Sequence, residues 1–390
     1  MVRRRIASRS LSAVAFVFAI TAFAPHSSAR AETPAALENR CTDDNEAPEQ
    51  RIAACTQLID TTSGLSDEQR ARLYGLRANA YAEEQDFNYA IEDYSRAIDG
   101  KPDDVIAIAN RATAYRYLGQ HDLAIEDYDR AIRLDSTNPV LFFNRGGAHS
   151  ELGNYDRAIE DYSRTIELNP DLPPVHMDRA NAYVETAQFA RAIEDYTAVI
   201  RLVPDYAEAY GNRGNSYSNL RQFDRAISDY NEAIRLEPDN DFIYVNLAYA
   251  YQDIGQYKDA LASIDTALNL DLDSVRAQGA LAWLYATAKD PAYRNGEKAL
   301  RLAREIVEAR REPNYLNILA AAYVEIGDKE NAIVSYRDAL QLGGAAMVAS
   351  YQSDLLAKKI YTGPITGNLD RATEAAIRAC VTARCKLLAN

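Results

Sequence analysis

The sequence predicts an all-α protein in which tandem helix-turn-helix units stack into an α-solenoid. Three observations lead there. Alanine recurs at Ala90, Ala124, Ala158, Ala192, Ala226 and Ala260, an interval of 34 residues held without a slip. The same register carries Tyr94, Tyr128, Tyr162, Tyr196 and Tyr230 four residues later, and a small residue (Ala78, Ala112, Gly146, Ala180, Gly214, Ala248) twelve residues earlier. Within a unit, apolar residues step by three and four over Asn110 to Leu118 and over Leu123 to Leu134, with a turn such as Gly119, Gly153 or Gly255 between the two stretches. Each unit is therefore two antiparallel helices. The small residues mark close backbone approach, and Tyr and Ile fill the space beside them. One hairpin cannot bury both faces, so units must stack and the ends of the array need caps.

The elements follow in chain order. Arg3, Arg4 and Arg5 precede an apolar run from Leu11 to Ala24, then Pro25 and the small-residue pattern Ala29-Arg30-Ala31, which predicts a secretory signal peptide over residues 1–31. The apolar run is shorter than the roughly 20 residues of a spanning helix, so no membrane span is expected after cleavage, and no cysteine follows the cleavage site to make a lipoprotein. Residues 32–70 read as an N-terminal helical cap, in which Ile52, Cys55 and Ile59 are spaced like the second helix of a repeat. The array spans 71–344 as about eight units, with starts at 71, 105, 139, 173, 207 and 241. A seventh unit from Val275 carries extra residues near Lys289 to Asn295, and an eighth from Pro313 keeps Ala320, Tyr323, Ala332 and Ala339. Residues 345–390 form a small helical C-terminal domain.

The four cysteines sit at the chain's ends, and four allow three connectivities. Export permits disulfides, and a long array keeps its ends apart. The expected bridges are therefore local: Cys41 with Cys55, pinning a short segment to the cap helix, and Cys380 with Cys385. The second needs its helix to end between the two, because residues five apart on a regular helix point in different directions. With no histidine near either pair, no metal site is expected and no cofactor is called for.

A unit of this length, with small residues at its eighth and twentieth positions, an aromatic at the eleventh and proline near the thirty-second, resembles the tetratricopeptide repeat. The departures are local: His149 stands at an eleventh position, Ser136 replaces a late proline, and Trp283 adjoins the insertion. The resemblance implies a right-handed superhelix whose concave groove binds peptides or proteins. In the tail, Tyr351 to Leu356, then Ile360-Tyr361-Thr362-Gly363-Pro364-Ile365-Thr366-Gly367, then Arg371 to Ile377, resemble the three-helix peptidoglycan-binding-like domain. That implies contact with peptidoglycan, although Thr366 stands where the family carries an acidic residue; the alternative is a helical cap over the last repeat.

Charge narrows the partner. The chain carries a formal net charge of -14, and removing residues 1–31 takes away five basic residues and no acidic ones, giving -19. Nucleic acid and anionic membrane surfaces would be repelled over most of such a protein. No enzyme is expected either: outside the signal peptide the histidines are His121, His149 and His176, at different positions of different repeats, and no glycine-rich loop suits a phosphate.

The chemistry is expected in the groove. The sixth position of the first helix is Asn110, Asn144, Asn212 and Asn246, with Asp178 in the remaining place, and Asn79, Asn181 and Asn215 occupy the ninth. An amide carries a donor and an acceptor, so such a row can pair with a ligand's backbone whatever its sequence; the plain alternative is a solvated polar face. The seventh position is Arg77, Arg111, Arg145, Arg179 and Arg213, matched by Asp93, Asp127, Asp161, Asp195 and Asp229 on the second helix. Where the arginine gives way to Leu247, Leu281 or Leu319, the aspartate gives way to Ser263, Leu302 or Ser335, which predicts five ion pairs, worth about 0 to 1 kcal/mol each if exposed. The expected function is an exported scaffold, most simply periplasmic, that holds a protein or extended peptide. The alternatives are a peptidoglycan-associated envelope protein anchored through its tail, and an accessory subunit of an envelope enzyme.

Overall fold

The computed structural model describes residues 33–387. The expected signal peptide lies outside the described residues. Among those described, every regular element is helical, and they fall into two compact units, one ending at Pro102 and one beginning at Asp103.

The first unit holds α1 (Pro34–Thr42), α2 (Pro48–Thr61), α3 (Asp67–Glu83) and α4 (Phe87–Gly100). Cys41 and Cys55 are disulfide-bonded, with their Cα atoms 5.0 Å apart. The bridge sits in a small core with Leu37, Ala54, Leu58, Ile59 and Leu73. Arg51, almost completely buried on α2, reaches Glu83 at the end of α3 at 2.8 Å. This contact, absent from the sequence reading, ties the cap to the first repeat. The first repeat helix begins at Asp67, four residues before the 34-residue register starts. The cause is a capping box in which Ser66 accepts from the Gln69 amide and the Gln69 side chain accepts from Ser66 N–H.

The second unit runs α5 (Val105–Tyr117), α6 (His121–Leu134), α7 (Pro139–Glu151), α8 (Tyr155–Leu168), α9 (Pro173–Glu185), α10 (Phe189–Leu202), α11 (Ala207–Asn219), α12 (Phe223–Leu236), α13 (Asp241–Asp253), α14 (Tyr257–Leu270), α15 (Val275–Thr287), α16 (Gly296–Ala309), α17 (Pro313–Ile326), α18 (Lys329–Ala357) and α19 (Arg371–Thr382). The insertion before α16 forms a short 3-10 turn, Pro291–Tyr293. Odd-numbered helices from α5 to α17 are the first helices of their repeats and even-numbered ones the second. Each repeat packs internally and against the next, and first helices of neighbours touch, as α5 does α7 and α7 does α9.

The repeated alanines are completely buried, and the tyrosines four residues later nearly so. Burial raises the pKa of the Tyr128, Tyr162 and Tyr196 hydroxyls and pushes that of Tyr230 up to about 12. These groups stay neutral in the core and act as hydrogen-bond partners. At Gly146 and Gly214 the tyrosine ring comes so close that an added Cβ would lie 2.8 and 2.7 Å from it. The fifteenth position of the unit turns through the left-handed region whatever residue occupies it: Gly119, Gly153 and Gly255 do so freely, whereas Gln85, Ala187 and Arg221 adopt φ of 63°, 56° and 58°.

The tail is continuous with the last repeat. α18 kinks at Gly344, where φ is 65° and ψ -162°, and its second half packs with α19 against α17 and the first half of α18. Tyr351 donates to Asn317 of α17 at 2.6 Å, and the Leu387 amide donates to Tyr336 at 3.1 Å. The buried amide of Gln352 is spent internally, accepting from Thr366 N–H and Gly367 N–H and donating to Thr373. Cys380 and Cys385 are joined, and α19 ends at Thr382 between them. No helix among the described residues is long and apolar enough to cross a membrane.

Candidate functional site

At 100° per residue, the seventh and eleventh positions of a first helix share one face, and the sixth and ninth lie on the opposite one. The structure uses the two faces differently.

On the first face all five arginine-aspartate pairs form, each bidentate. In the repeat of α11 and α12, Arg213 Nε and Nη2 donate to Asp229 at 2.7 and 2.8 Å, and the pairs of Arg77, Arg111, Arg145 and Arg179 share this geometry. The value given for exposed pairs does not apply: all five aspartates are buried, Asp93 to 2 % and Asp229 to 6 %. The hydrogen bond to its aspartate raises the pKa of Arg77, Arg145 and Arg213. In Arg77, Arg145, Arg179 and Arg213 the remaining Nη1 reaches the previous second helix. Arg213 donates to Thr197 on α10 at 3.0 Å, Arg179 to Ser163 on α8 at 3.0 Å, and Arg145 pairs with Asp129 on α6. In the first unit Arg77 donates to Thr56 at 2.9 Å, so α2 serves as the second helix of a missing repeat. Arg77, Arg145, Arg179 and Arg213 thus each fasten their own hairpin and the joint before it.

On the opposite face, the ninth-position asparagines are engaged. Asn79, Asn181 and Asn215 accept from the hydroxyls of Tyr94, Tyr196 and Tyr230 at 2.7, 2.6 and 2.8 Å. Thr113 plays that part for Tyr128 at 2.8 Å. Part of each asparagine therefore orients a core tyrosine, a role sequence spacing did not reveal. Asn246 donates to Asn215 at 2.9 Å, joining the sixth and ninth positions of successive repeats. Asn144 and Asn212, at the sixth position, are half-buried and have no side-chain hydrogen bond among the described residues. Asp178, in the same row, has its carboxyl pKa raised by burial, with Arg116 opposing the shift.

Arg116, at the end of α5, lies over Gly147 of α7, where an added Cβ would meet its guanidinium at 2.8 Å. It donates to Glu151 at 2.9 and 2.8 Å, and His121 Nδ1 lies 3.1 Å from the same carboxylate. This inter-repeat clasp escaped the sequence reading; the glycine at a ninth position was its only signal. His176 sits between Asp195 and the Pro170 carbonyl, at 3.0 and 2.9 Å. Among the described residues no group of three or more His, Cys, Asp or Glu is placed to hold a metal ion.

Comparison with known proteins bears on this architecture. Models described as "Tetratricopeptide repeat" match residues 71–104, 139–172, 207–240, 229–262 and 313–342, and one described as "TPR repeat" matches 112–153 and 180–220. Together they cover more than half of the chain. Among solved structures, the C-terminal part of a TPR repeat-containing protein from Cytophaga hutchinsonii aligns with a TM-score of 0.54 at 19% identity, over 64% of this chain and 99% of that one. YrrB, described as a TPR protein with an unusual peptide-binding site, aligns with a TM-score of 0.45 at 20% identity, over 48% of this chain and 96% of that one. Pseudomonas aeruginosa pilF aligns with a TM-score of 0.45 at 18% identity, over 55% and 97% of the two chains. No curated protein matches.

Proposed function

The chain belongs to the tetratricopeptide-repeat family, and on that premise we propose that it is an exported scaffold that holds an extended segment of a partner protein along the first helices of its repeats. The observation that carries this reading is the contrast between the two faces of those helices. The arginine face is consumed by ion pairs within and between repeats, and the alanine and tyrosine positions by the core. The sixth-position row in the second unit keeps Asn144 and Asn212 without side-chain partners, beside Asp178 and Asn246. An amide there offers one donor and one acceptor to a backbone laid across it. Asn110 belongs to the same row, and Asn79 to the same face of the first unit. Residues 1–31 direct export, and both cysteine pairs suit an oxidising compartment such as a periplasm.

The test replaces Asn110, Asn144, Asn212 and Asn246 together by Ala. Half-exposed substitutions usually cost within about 0.5 kcal/mol each, so the melting temperature should change little while recovery of partners from envelope extracts falls severely. Unchanged recovery would show that the row is only a solvated face.

A further inference from the structure

The repeat of α7 and α8 departs from its neighbours at one buried position, and the departure opens a cavity. In the two repeats that follow, the eleventh-position tyrosine lies between two guanidinium groups. The Tyr183 ring centre is 5.7 Å from Arg179 and 5.1 Å from Arg191, and the Tyr217 ring centre is 5.9 Å from Arg213 and 5.7 Å from Arg225. In the α7 and α8 repeat the corresponding arginines are Arg145 and Arg157, but the ring between them is replaced by His149. There the structure has a cavity of about 240 Å³, lined by both arginines and His149 together with Ile125 and Asp129 of α6 and Glu160 and Asp161 of α8. A cavity of roughly 150 Å³ holds benzene, so an aromatic ring fits.

One of the lining side chains carries an unsatisfied polar atom. His149 is 6 % exposed, and its Nδ1 is buried without a hydrogen-bond partner. Such an atom left unpaired is destabilising, and a hydrogen bond to a ligand hydroxyl would offset that cost. Charge selects the ligand further. Arg145 is already held by Asp161 and Asp129. An anion would therefore meet only Arg157 against three carboxylates, counting Glu160, while a cation would meet two guanidiniums. A neutral ring with a hydroxyl on its edge answers both the flat cationic walls and the open nitrogen.

We propose that this cavity is a binding slot for a phenol ring, the tyrosyl side chain of a partner chain, inserted between Arg145 and Arg157 with its hydroxyl on His149 Nδ1. It occupies the place that neighbouring repeats fill with their own tyrosine. The slot lies on the face of α7 opposite Asn144, so it stands or falls independently of the asparagine row.

The experiment titrates the full chain, labelled with 15N in its histidines, with N-acetyl-tyrosinamide and follows the His149 ring by NMR. Saturable movement of that signal is expected, with N-acetyl-phenylalaninamide roughly threefold to tenfold weaker for want of the hydroxyl. Arg157→Ala, an exposed substitution that does not threaten the fold, should weaken binding roughly threefold. His149→Tyr, which builds the ring in place and in which binding is read from saturation transfer to the ligand's own protons, should abolish binding and raise the melting temperature. Equal binding of the phenylalanine compound, or full binding by His149→Tyr, would overturn the proposal. Free p-cresol binding as tightly as N-acetyl-tyrosinamide would overturn the assignment to a partner's side chain, and tighter binding of O-phosphotyrosine would overturn the argument from charge.

Discussion

Replacing Arg213 by Leu and Asp229 by Ser asks the structure to do in one repeat what the next already does, since Leu247 and Ser263 stand at those positions, both buried. Arg213→Leu strands the Asp229 carboxylate, which is 6 % exposed and accepts two hydrogen bonds, at 2.7 and 2.8 Å, from this arginine. Removing one partner of a buried pair costs about 3 to 5 kcal/mol. Asp229→Ser should cost less, roughly 1 to 2 kcal/mol, because the arginine head can turn outward to water. The double variant carries neither stranded charge, so it should lose only about 1 to 2 kcal/mol, leaving a coupling on the order of 3 to 5 kcal/mol. Equilibrium urea unfolding by circular dichroism, with hydrogen exchange across α11 and α12 to localise the change, measures all four corners of the cycle. Additive effects, or a cost for Arg213→Leu below about 0.5 kcal/mol, would refute the view that these pairs are buried fasteners.

Other expectations follow from the same structure. Reducing the Cys41–Cys55 bridge should destabilise the N-terminal cap by about 2 to 4 kcal/mol, and peptide mapping without reductant should recover those two cysteines linked. Ala187, held at φ 56°, should gain stability when replaced by Gly, by up to about 1 kcal/mol after the added flexibility of the unfolded chain is set against relief of the left-handed strain; a loss in thermal unfolding would contradict it. His176 has its pKa raised, chiefly by its hydrogen bond to Asp195, with burial and Arg179 opposing. A raised folded-state pKa gives stability that is complete below the unfolded value, about 6.5, and is lost as pH rises through the folded value. His176→Asn should therefore cost more at pH 6 than at pH 9 in matched denaturation curves, and an equal cost at both would sink the assignment.

Much of this architecture was legible because the chain supplies its own comparisons. Six alanines in step and the joint loss of Arg and Asp at Leu247 and Ser263 expose a contact 16 residues apart without any relative to align. Pattern reports who pairs with whom but not how deeply, which is why the value of an exposed pair does not apply to Asp229, which is buried. Nor does spacing distinguish the two ends of a side chain. Asn181 reads as a groove residue, yet its carbonyl oxygen is bound to Tyr196. Contacts made once are the hardest to foresee. Arg116 meets Glu151 through a gap left by Gly147, and Arg51 meets Glu83, because of local shape that no periodicity repeats. His149 was visible as a departure, while the cavity it opens follows only from the arginines flanking the corresponding rings in the next two repeats.

The central claim is that a partner lies along the sixth-position row, and site-directed photocrosslinking tests it most directly. A photoreactive phenylalanine analogue is placed at Asn144 or Asn212 in the exported protein, and at the exposed Glu194 of the second-helix surface as the control. The account predicts that both groove positions capture the same partner, through one contiguous stretch of its chain when the adducts are mapped by mass spectrometry, and that position 194 does not. Capture at 194 with none at 144 and 212 would contradict it.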